Sequence, residues 1–256
     1  ATGGYVVSDT DMRFYDIGIL EWNADKTAVY ASAVYDDGTT TAVRLFKSTD
    51  AGRTWKIVFN NNWTDLDTDT IVDNDEFQLA VSPAGEPQIF DICASSVNAN
   101  EVYFTDGREI LTTKDGGVTW NKLSNVYIWA ADNDWLNQPE GVIVTLDVGY
   151  AGANKYVFTG TATFGGTGVN GVYMCQETAF GMPWSDLSIA TQGHNWTTFV
   201  DPNYVPECSV WDVVVDPTDF ATKQGVIAVA EDNDGNTWIT AKYFGNQWNQ
   251  PATCKD

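Results

Sequence analysis

Basic side chains are scarce in this chain of 256 residues. It contains 13 Lys and Arg against 35 Asp and Glu, which gives a formal charge of −22 at neutral pH. A surface this acidic repels nucleic acid and anionic membranes, so we expect neither as a partner. The chain also lacks any apolar run near the roughly 18 residues that a membrane-spanning helix needs, so we expect no membrane insertion.

Histidine and cysteine are also few. His194 is the only histidine, and no Cys/His spacing has the pattern of a zinc site. The cysteines are Cys93, Cys175, Cys208 and Cys254. Their even number predicts two disulfides formed in an oxidising compartment, and three pairings are possible. We favour Cys208–Cys254 as one pair, because both residues flank one of the sequence repeats described below.

The chain begins at Ala1 with neither an initiator Met nor a signal peptide, so we expect a processed mature form or a piece of a longer protein. Two N-glycosylation sequons are present, Asn62-Trp63-Thr64 and Asn195-Trp196-Thr197. The cysteines, the acidic surface and these sequons together favour an extracellular or cell-surface glycoprotein.

An eight-residue motif, Ser/Thr-x-Asp-x-Gly-x-Thr-Trp, occurs twice in full. Its defining residues are Asp50, Gly52 and Trp55 in the first copy and Asp115, Gly117 and Trp120 in the second. Two weaker copies keep only the Gly and the Trp, as Gly181 with Trp184 and Gly245 with Trp248, while Ala179 and Tyr243 replace the Asp. The four Trp are 65, 64 and 64 residues apart. We infer four repeats, approximately 1–62, 63–126, 127–192 and 193–256.

Each motif has similar surroundings. In the first repeat, the β-rich runs Ala28–Val34 and Thr41–Lys47 flank the turn Asp36-Asp37-Gly38, which is a strong hairpin signal. A more apolar run precedes them and a short strand follows the Trp. The pattern predicts four antiparallel strands per repeat, and no segment has a convincing helical period. The fold class is therefore predicted to be all-β.

The chemistry of the motif indicates a structural role. The Asp carboxylate can accept hydrogen bonds from backbone N–H groups of its own turn. The Gly supplies a positive φ, and the Trp covers the apolar underside of the turn. We interpret the motif as a staple between the third and fourth strands of each repeat.

The two full motifs resemble the Asp-boxes, or BNR repeats, of sialidases, xyloglucan-cleaving glycosidases, sortilin-type receptors and bacterial surface proteins. The run Val210–Thr222 resembles the start of a blade in that group. This resemblance implies a β-propeller, here one domain of four four-stranded blades over residues 1–256. Four repeats fit either a small closed ring or an arc of a larger propeller. Because the family contains enzymes, receptors and scaffolds, the resemblance does not define a function.

Two kinds of catalytic site can be compared with this sequence. A sialidase-like site needs an Arg cluster, and the four arginines (Arg13, Arg44, Arg53 and Arg108) do not supply one. A two-carboxylate glycosidase needs only two facing acids. Candidates in or near innermost strands are Asp16, Asp91 and Asp212, with Trp22, Trp129, Trp135 and Trp211 as sugar-stacking aromatics. We interpret these acids and aromatics as mainly structural.

An acidic cluster follows the first repeat. Its candidate calcium ligands are Asp65, Asp67, Asp69, Asp73 and Glu76, which match positions 1, 3, 5, 9 and 12 of a calcium loop. Thr70 replaces the usual Gly at position 6. A solvated acidic loop is the alternative interpretation.

The sequence thus predicts a non-catalytic extracellular structural or interaction module, of the surface-layer, filament or adhesin type. Its expected partners are other copies of itself, or glycans and proteins at the cell surface. The alternative is a secreted glycoside hydrolase or a calcium-dependent carbohydrate-binding propeller.

Overall fold

The structure is a computed structural model, and the residues that it describes are 20–36, 41–60, 89–107, 110–123, 142–162, 171–176, 184–186, 209–216, 225–231, 238–244 and 247–252. The regular structure in these ranges consists of β-strands, so the all-β prediction is confirmed there. The described residues include no helix that is long and apolar enough to cross a membrane.

The described strands form four four-stranded sheets. Sheet 1 contains β1 (Leu20–Trp22), β2 (Val29–Asp36), β3 (Thr41–Ser48) and β4 (Lys56–Asn60). Sheet 2 contains β5 (Asp91–Ala94), β6 (Val102–Thr105), β7 (Ile110–Thr113) and β8 (Asn121–Lys122). Sheet 3 contains β9 (Val142–Ala151), β10 (Asn154–Ala162), β11 (Val172–Gln176) and β12 (Trp184–Asp186). Sheet 4 contains β13 (Val210–Val215), β14 (Val226–Glu231), β15 (Trp238–Phe244) and β16 (Gln247–Ala252).

Within each sheet the strands follow chain order, and every neighbouring pair is antiparallel. Short connections suffice for such an order, since antiparallel neighbours can be joined by hairpins. The chain divides into two compact units, unit 1 (Ala1–Lys122) with sheets 1 and 2, and unit 2 (Leu123–Asp256) with sheets 3 and 4. Each unit is described by itself.

The core of unit 1 is aromatic. Phe104, from the fully buried strand β6, lies 4.9 Å from Phe59 and 5.0 Å from Trp120 between ring centroids, in edge-to-face contacts. Phe59 and Trp120 are themselves 5.9 Å apart, also edge to face. Because Phe59 belongs to β4 of sheet 1, while Phe104 belongs to β6 of sheet 2 and Trp120 directly precedes β8, this triad joins the two sheets.

The core of unit 2 is mainly aliphatic, with Val210, Val213 and Val226 packed near Phe158. Every residue of β10 after its first is buried, as expected for a central strand covered on both faces. Gly160 of β10 is required by this packing, because a Cβ there would lie 2.7 Å from Val210 Cγ1. The absence of a side chain lets β13 approach β10 closely.

The connection between the third and fourth strands differs among the sheets. Seven residues join β3 to β4, β7 to β8 and β11 to β12, whereas two residues join β15 to β16. Tyr243 and Trp248 of the fourth repeat both lie in strands and face each other in register. The fourth Gly-x-x-Trp copy thus accompanies a tighter hairpin than the first two copies.

Candidate functional site

The first box turn, residues 48–55, is organised around Asp50. Its Oδ1 accepts hydrogen bonds from the Ser48 hydroxyl and the Thr54 N–H, both at 2.8 Å, and its Oδ2 accepts one from the Thr54 hydroxyl at 2.7 Å. The Ser48 Oγ accepts the N–H of Gly52 at 2.8 Å. One carboxylate and one hydroxyl thereby satisfy the turn's exposed backbone donors.

The second box turn, residues 113–120, repeats this arrangement around Asp115. Its Oδ1 accepts the Thr113 hydroxyl at 2.7 Å and the N–H groups of Val118 and Thr119 at 3.0 and 2.9 Å. Its Oδ2 accepts the Thr119 hydroxyl at 2.6 Å. The matching hydrogen bonds in two turns 65 residues apart follow from the matching motif.

These hydrogen bonds stabilise the charged form of both carboxylates. The Thr54 hydroxyl and N–H lower the pKa of Asp50 to about 2. Burial acts to raise the pKa of Asp115, but its hydrogen bonds, first those from Thr119, prevail and lower that pKa to about 2. Both Asp are therefore ionised at neutral pH and are committed to their own turns, which disfavours a role for either one as a general acid.

The two box tryptophans donate their indole N–H to different partners. Trp55 Nε1 donates to the carbonyl of Gly52 in its own turn at 3.0 Å, and its side chain is half-buried. Trp120 Nε1 donates to the carbonyl of Val58 in sheet 1 at 2.8 Å, and its side chain is buried. The first Trp closes its turn, whereas the second also links two sheets.

A polar cluster lies beside the second box. Lys47 Nζ donates to the Gly116 carbonyl at 3.1 Å and lies 5.3 Å from the centre of the Tyr30 ring. Burial lowers the pKa of Lys47, while the charge of Asp115 acts in the opposite direction. Burial, with a smaller effect of Asp115, raises the pKa of Tyr30 to about 12. This cluster gives sheet 1 a second attachment to the box turn of sheet 2.

In unit 2, two polar side chains of β9 bond to the backbone of β13. Thr145 Oγ1 accepts the N–H of Val213 at 3.3 Å, and Asp147 Oδ2 accepts the N–H of Val215 at 2.6 Å. Residues two apart on a strand point to the same face, so both side chains match alternate N–H groups of β13. They supply acceptors to a strand edge that lies at the margin of its own sheet.

Asp212 lies at the same junction. The register of β13 against β14 shifts between Val210 and Asp212, which leaves Trp211 as an additional residue in a bulge. Asp212 is exposed, Trp211 is half-buried, and the Thr145 hydroxyl lies 3.5 Å from Asp212 Oδ1. The bulge thus presents an exposed carboxylate beside an indole on the first strand of sheet 4.

The candidate acids of the two units differ in availability. Asp147 Oδ1 accepts the N–H of the adjacent Val148 at 2.7 Å, and its Oδ2 accepts the N–H of Val215 in β13. Asp91 of β5 in unit 1 likewise accepts the adjacent N–H, from Ile92, at 2.8 Å. Asp212 is the exposed member of this set and can reach a ligand. Sequence reasoning singled out Asp91 and Asp212 but missed Thr145 and Asp147, whose signal is two polar residues in alternation within an apolar strand.

Several other predicted residues can be placed only in part. Cys93 of β5 and Cys175 of β11 are both buried, and Trp22 of β1 is exposed. The predicted residues outside the described part of the chain are Asp16, Asp65, Asp67, Asp69, Asp73, Glu76, Trp129, Trp135, Gly181, Cys208, Gly245 and Cys254. The disulfides therefore stay a prediction.

Calcium also stays a prediction, because all five proposed ligands fall outside the described ranges. Within those ranges, no group of three or more His, Cys, Asp or Glu side chains is arranged to hold a metal ion. If the cluster binds calcium, a chelator lowers the melting temperature of the protein and Asp67→Asn removes that sensitivity. Identical melting curves with calcium and with chelator would contradict the calcium prediction.

No protein-family model matches the chain, and no curated protein matches it either. Solved structures do. An ancestral GH74 enzyme aligns with 93% of this chain at a TM-score of 0.53 and 14% identity. The chain covers 28% of that enzyme's chain. At this identity the likeness shows the fold alone, which is a β-propeller.

Two further structures align over most of the chain with lower TM-scores. PorZ, a surface component of the type-IX secretion system of Porphyromonas gingivalis, aligns with 91% of this chain at 12% identity and a TM-score of 0.45, and the alignment covers 25% of PorZ. An endo-arabinase from Bacteroides thetaiotaomicron aligns with 95% at 12% identity and a TM-score of 0.45, and the alignment covers 82% of that chain.

Proposed function

We propose that this chain is a carbohydrate-binding segment of a secreted β-propeller glycoside hydrolase, built from four Asp-box blades that correspond to sheets 1–4. The fold likeness to the GH74 enzyme supports the propeller. The paired hydrogen-bond networks of the two box turns support the Asp-box assignment. The acidic surface, the sequons and the cysteines support an extracellular location.

The observation that carries the proposal is the bulge in β13. A bulge re-aims side chains, and bulges are frequent beside active sites. Here it presents the exposed Asp212 carboxylate next to the half-buried Trp211 indole, with Thr145 beside them. Sugars are bound by carboxylates that accept their hydroxyl hydrogens and by aromatic rings that pack on their apolar faces. The bulge offers one group of each kind.

The described residues, taken alone, favour carbohydrate binding over glycoside hydrolysis at this site. Glycoside hydrolysis requires two carboxyl groups about 5–10 Å apart on either side of the scissile bond. Asp147, the acid on the adjacent strand, has both oxygens occupied by backbone N–H groups. We therefore assign Asp212 to binding, and we leave a catalytic pair to residues outside the described ranges.

Affinity electrophoresis tests this proposal. The whole chain is run in native gels that contain xyloglucan, arabinan, xylan or a mixed-linkage β-glucan, and retardation by at least one polysaccharide is expected. Trp211→Ala removes a packing surface worth about 0.5–1.5 kcal/mol, which is up to about tenfold in affinity. Asp212→Asn should weaken binding as well.

The matched control is Asp25→Asn, which makes the same charge change at an exposed acid of unit 1. It should bind as the wild type does. Retardation that is equal in all variants would place binding elsewhere and would remove Asp212 from the site. A chain that no polysaccharide retards would favour the non-catalytic structural module instead, whereas release of reducing ends would establish the hydrolase.

A further inference from the structure

Thr145 of β9 contacts both the main chain and a side chain of the bulged strand β13. Its side chain is buried, and its Oγ1 accepts the N–H of Val213 at 3.3 Å and donates to Asp212 Oδ1 at 3.5 Å. A hydroxyl has one proton to donate and two lone pairs that accept. Because the N–H of Val213 occupies a lone pair, the proton is left for the carboxylate of Asp212. The hydroxyl therefore bridges the main chain of β13 and the acid that the bulge presents.

The orientation of this hydroxyl depends on a glycine of the adjacent strand. Gly160 of β10 is the register partner of Thr145, and a Cβ on Gly160 would lie 2.8 Å from Thr145 Cγ2. The threonine methyl group thus occupies the space that a side chain at position 160 would need. The methyl group and the hydroxyl of threonine turn together about χ1, so packing of the one fixes the direction of the other.

The same glycine accommodates the residue that begins the bulge. A Cβ on Gly160 would lie 2.7 Å from Cγ1 of Val210, where the register shift of β13 begins. Val210 is fully buried, whereas Asp212 is exposed. Val210 therefore anchors one side of the bulge in the core, and the Thr145 hydroxyl meets the carboxylate on the other side.

The main chain of β13 has a second anchor on β9. Asp147 Oδ2 accepts the N–H of Val215 at 2.6 Å, so β13 stays attached to β9 when the Thr145 hydroxyl is removed. Within the described part of the chain, Thr145 supplies the side-chain hydrogen bond to Asp212. At 3.5 Å this bond is long, and hydrogen bonds in functional sites often shorten only when the ligand is bound.

We propose that Thr145 is a positioning residue for carbohydrate binding, whose hydroxyl orients the Asp212 carboxylate toward a sugar hydroxyl beside Trp211. This assignment rests on the proposed function, because it needs a sugar that contacts Asp212. With Oδ1 held by Thr145, Oδ2 accepts the hydrogen bond from the sugar. A carboxylate that is oriented before binding loses less side-chain freedom in the complex, which increases affinity.

Thr145→Val tests the proposal, because valine has the shape of threonine without its hydroxyl. In affinity electrophoresis the dissociation constant for the polysaccharide that the wild type binds should rise about two- to tenfold, the net effect of one hydrogen bond. Thr145→Ser keeps the hydroxyl and should bind more tightly than Thr145→Val.

The matched control is Thr161→Val, which makes the same change at another buried threonine of unit 2. Thr161 Oγ1 accepts the N–H of Gly171 at 3.0 Å, so this variant also loses an acceptor for a backbone N–H. Gly171 directly precedes β11, on the side of β10 opposite to β9. Thr161→Val should therefore bind polysaccharide as the wild type does, and equal weakening by this control would overturn the proposal.

A double-mutant cycle separates positioning from the stability of the strand. In the Asp212→Ala background, Thr145→Val should have no further effect on binding, because the carboxylate that the hydroxyl orients is gone. Equal weakening in both backgrounds would show that the hydroxyl acts through the main chain of β13, which would overturn the proposal. Unchanged binding by Thr145→Val alone would overturn it as well.

A measurement without ligand distinguishes this proposal from the proposed function. The carboxyl carbon-13 resonance of Asp212, assigned with Asp212→Asn, should shift in Thr145→Val and stay in place in Thr161→Val. A resonance that does not shift in Thr145→Val would reject the positioning role, whatever the polysaccharides show. A resonance that shifts in a chain that binds no polysaccharide would reject the carbohydrate function and would still support Thr145 as the residue that orients Asp212.

Discussion

The two full box turns share a sequence and a hydrogen-bond network, yet they have different surroundings. In the first, Trp55 is half-buried and its indole N–H donates to its own turn. In the second, Trp120 is buried in the aromatic core and its indole N–H donates to Val58 of the neighbouring sheet. The turn geometry belongs to the motif, whereas the contribution of each Trp to stability depends on what lies next to it.

The glycines of the two turns show the same difference. Gly52 and Gly117 both have positive φ, 84° and 90°, which disfavours any residue with a Cβ. A Cβ on Gly52 would make an ordinary contact of 3.6 Å with Trp55. A Cβ on Gly117 would lie 2.8 Å from the Cβ of Val58. Only the second glycine is required by packing as well as by backbone conformation.

The largest predicted difference is between the two tryptophans. Trp120→Ala should reduce the free energy of unfolding by about 3–5 kcal/mol, because it opens a cavity in the core. Trp55→Ala should cost about 1 kcal/mol, the typical effect of a point change. Urea denaturation of the two variants measures both values. Equal losses would show that the two tryptophans contribute equally to the free energy of unfolding, which would contradict the difference inferred from their contacts.

The next difference is between the glycines. Gly52→Ala should cost about 1–2 kcal/mol from the left-handed conformation alone. Gly117→Ala should cost about 1–3 kcal/mol more, because the new methyl group overlaps Val58. In a double-mutant cycle, Val58→Ala should remove part of this additional cost. Because alanine keeps the Cβ of Val58, an additive cycle would show that the Val58 methyl groups, 3.2 Å from the new Cβ, are not a source of the strain.

A smaller effect is expected for the two carboxylates. Asp50→Ala and Asp115→Ala should each lower the melting temperature, since each leaves backbone N–H groups of its turn without their acceptor. The two decreases should be similar, because the two networks match. Polysaccharide binding should stay unchanged in both variants. If binding vanished while the melting temperature held, the box would be a binding site and not a staple.

The smallest effect is the pH dependence of the same carboxylates. Their folded pKa values of about 2 lie below the ordinary value of 3.8. Their contribution to stability is therefore complete above pH 3.8 and is lost as the pH falls through about 2. The stability difference between the wild type and Asp50→Asn/Asp115→Asn should shrink over this interval. Thermal denaturation at several pH values measures it, and a constant difference would contradict the lowered pKa values.

The fourth repeat sets a limit on inference from spacing. Its Gly and Trp keep the 64-residue interval, yet two residues join its third and fourth strands where seven join them in the first two repeats. Tyr243, which replaces the Asp, lies in β15. The third repeat also lacks the Asp, which Ala179 replaces, and seven residues still join its third and fourth strands, so loss of the carboxylate alone does not set the length of the hairpin. The Gly-x-x-Trp interval marks the repeat but does not specify its turn.

Much of the fold could be predicted from local sequence patterns. Alternating runs and Asp- or Gly-rich turns located the strands to within a few residues, as in the predicted Thr41–Lys47 and the observed β3. The candidate site was harder to predict. Asp212 is one acid among 35, and its exposure depends on a bulge that no local sequence motif predicts. Thr145 and Asp147 acquire their role only because β13 lies beside β9.

By itself, the sequence determined the all-β class, the repeat and the internal hydrogen bonds of the two box turns, because each of these depends on residues close together in the chain. Tertiary structure alone decided which Trp joins two sheets, which glycine must lack a side chain, and which acid faces solvent. Those properties depend on the atoms that a neighbouring sheet brings within contact distance. Residues more than 60 positions apart supply those atoms, as Trp120 and Val58 do.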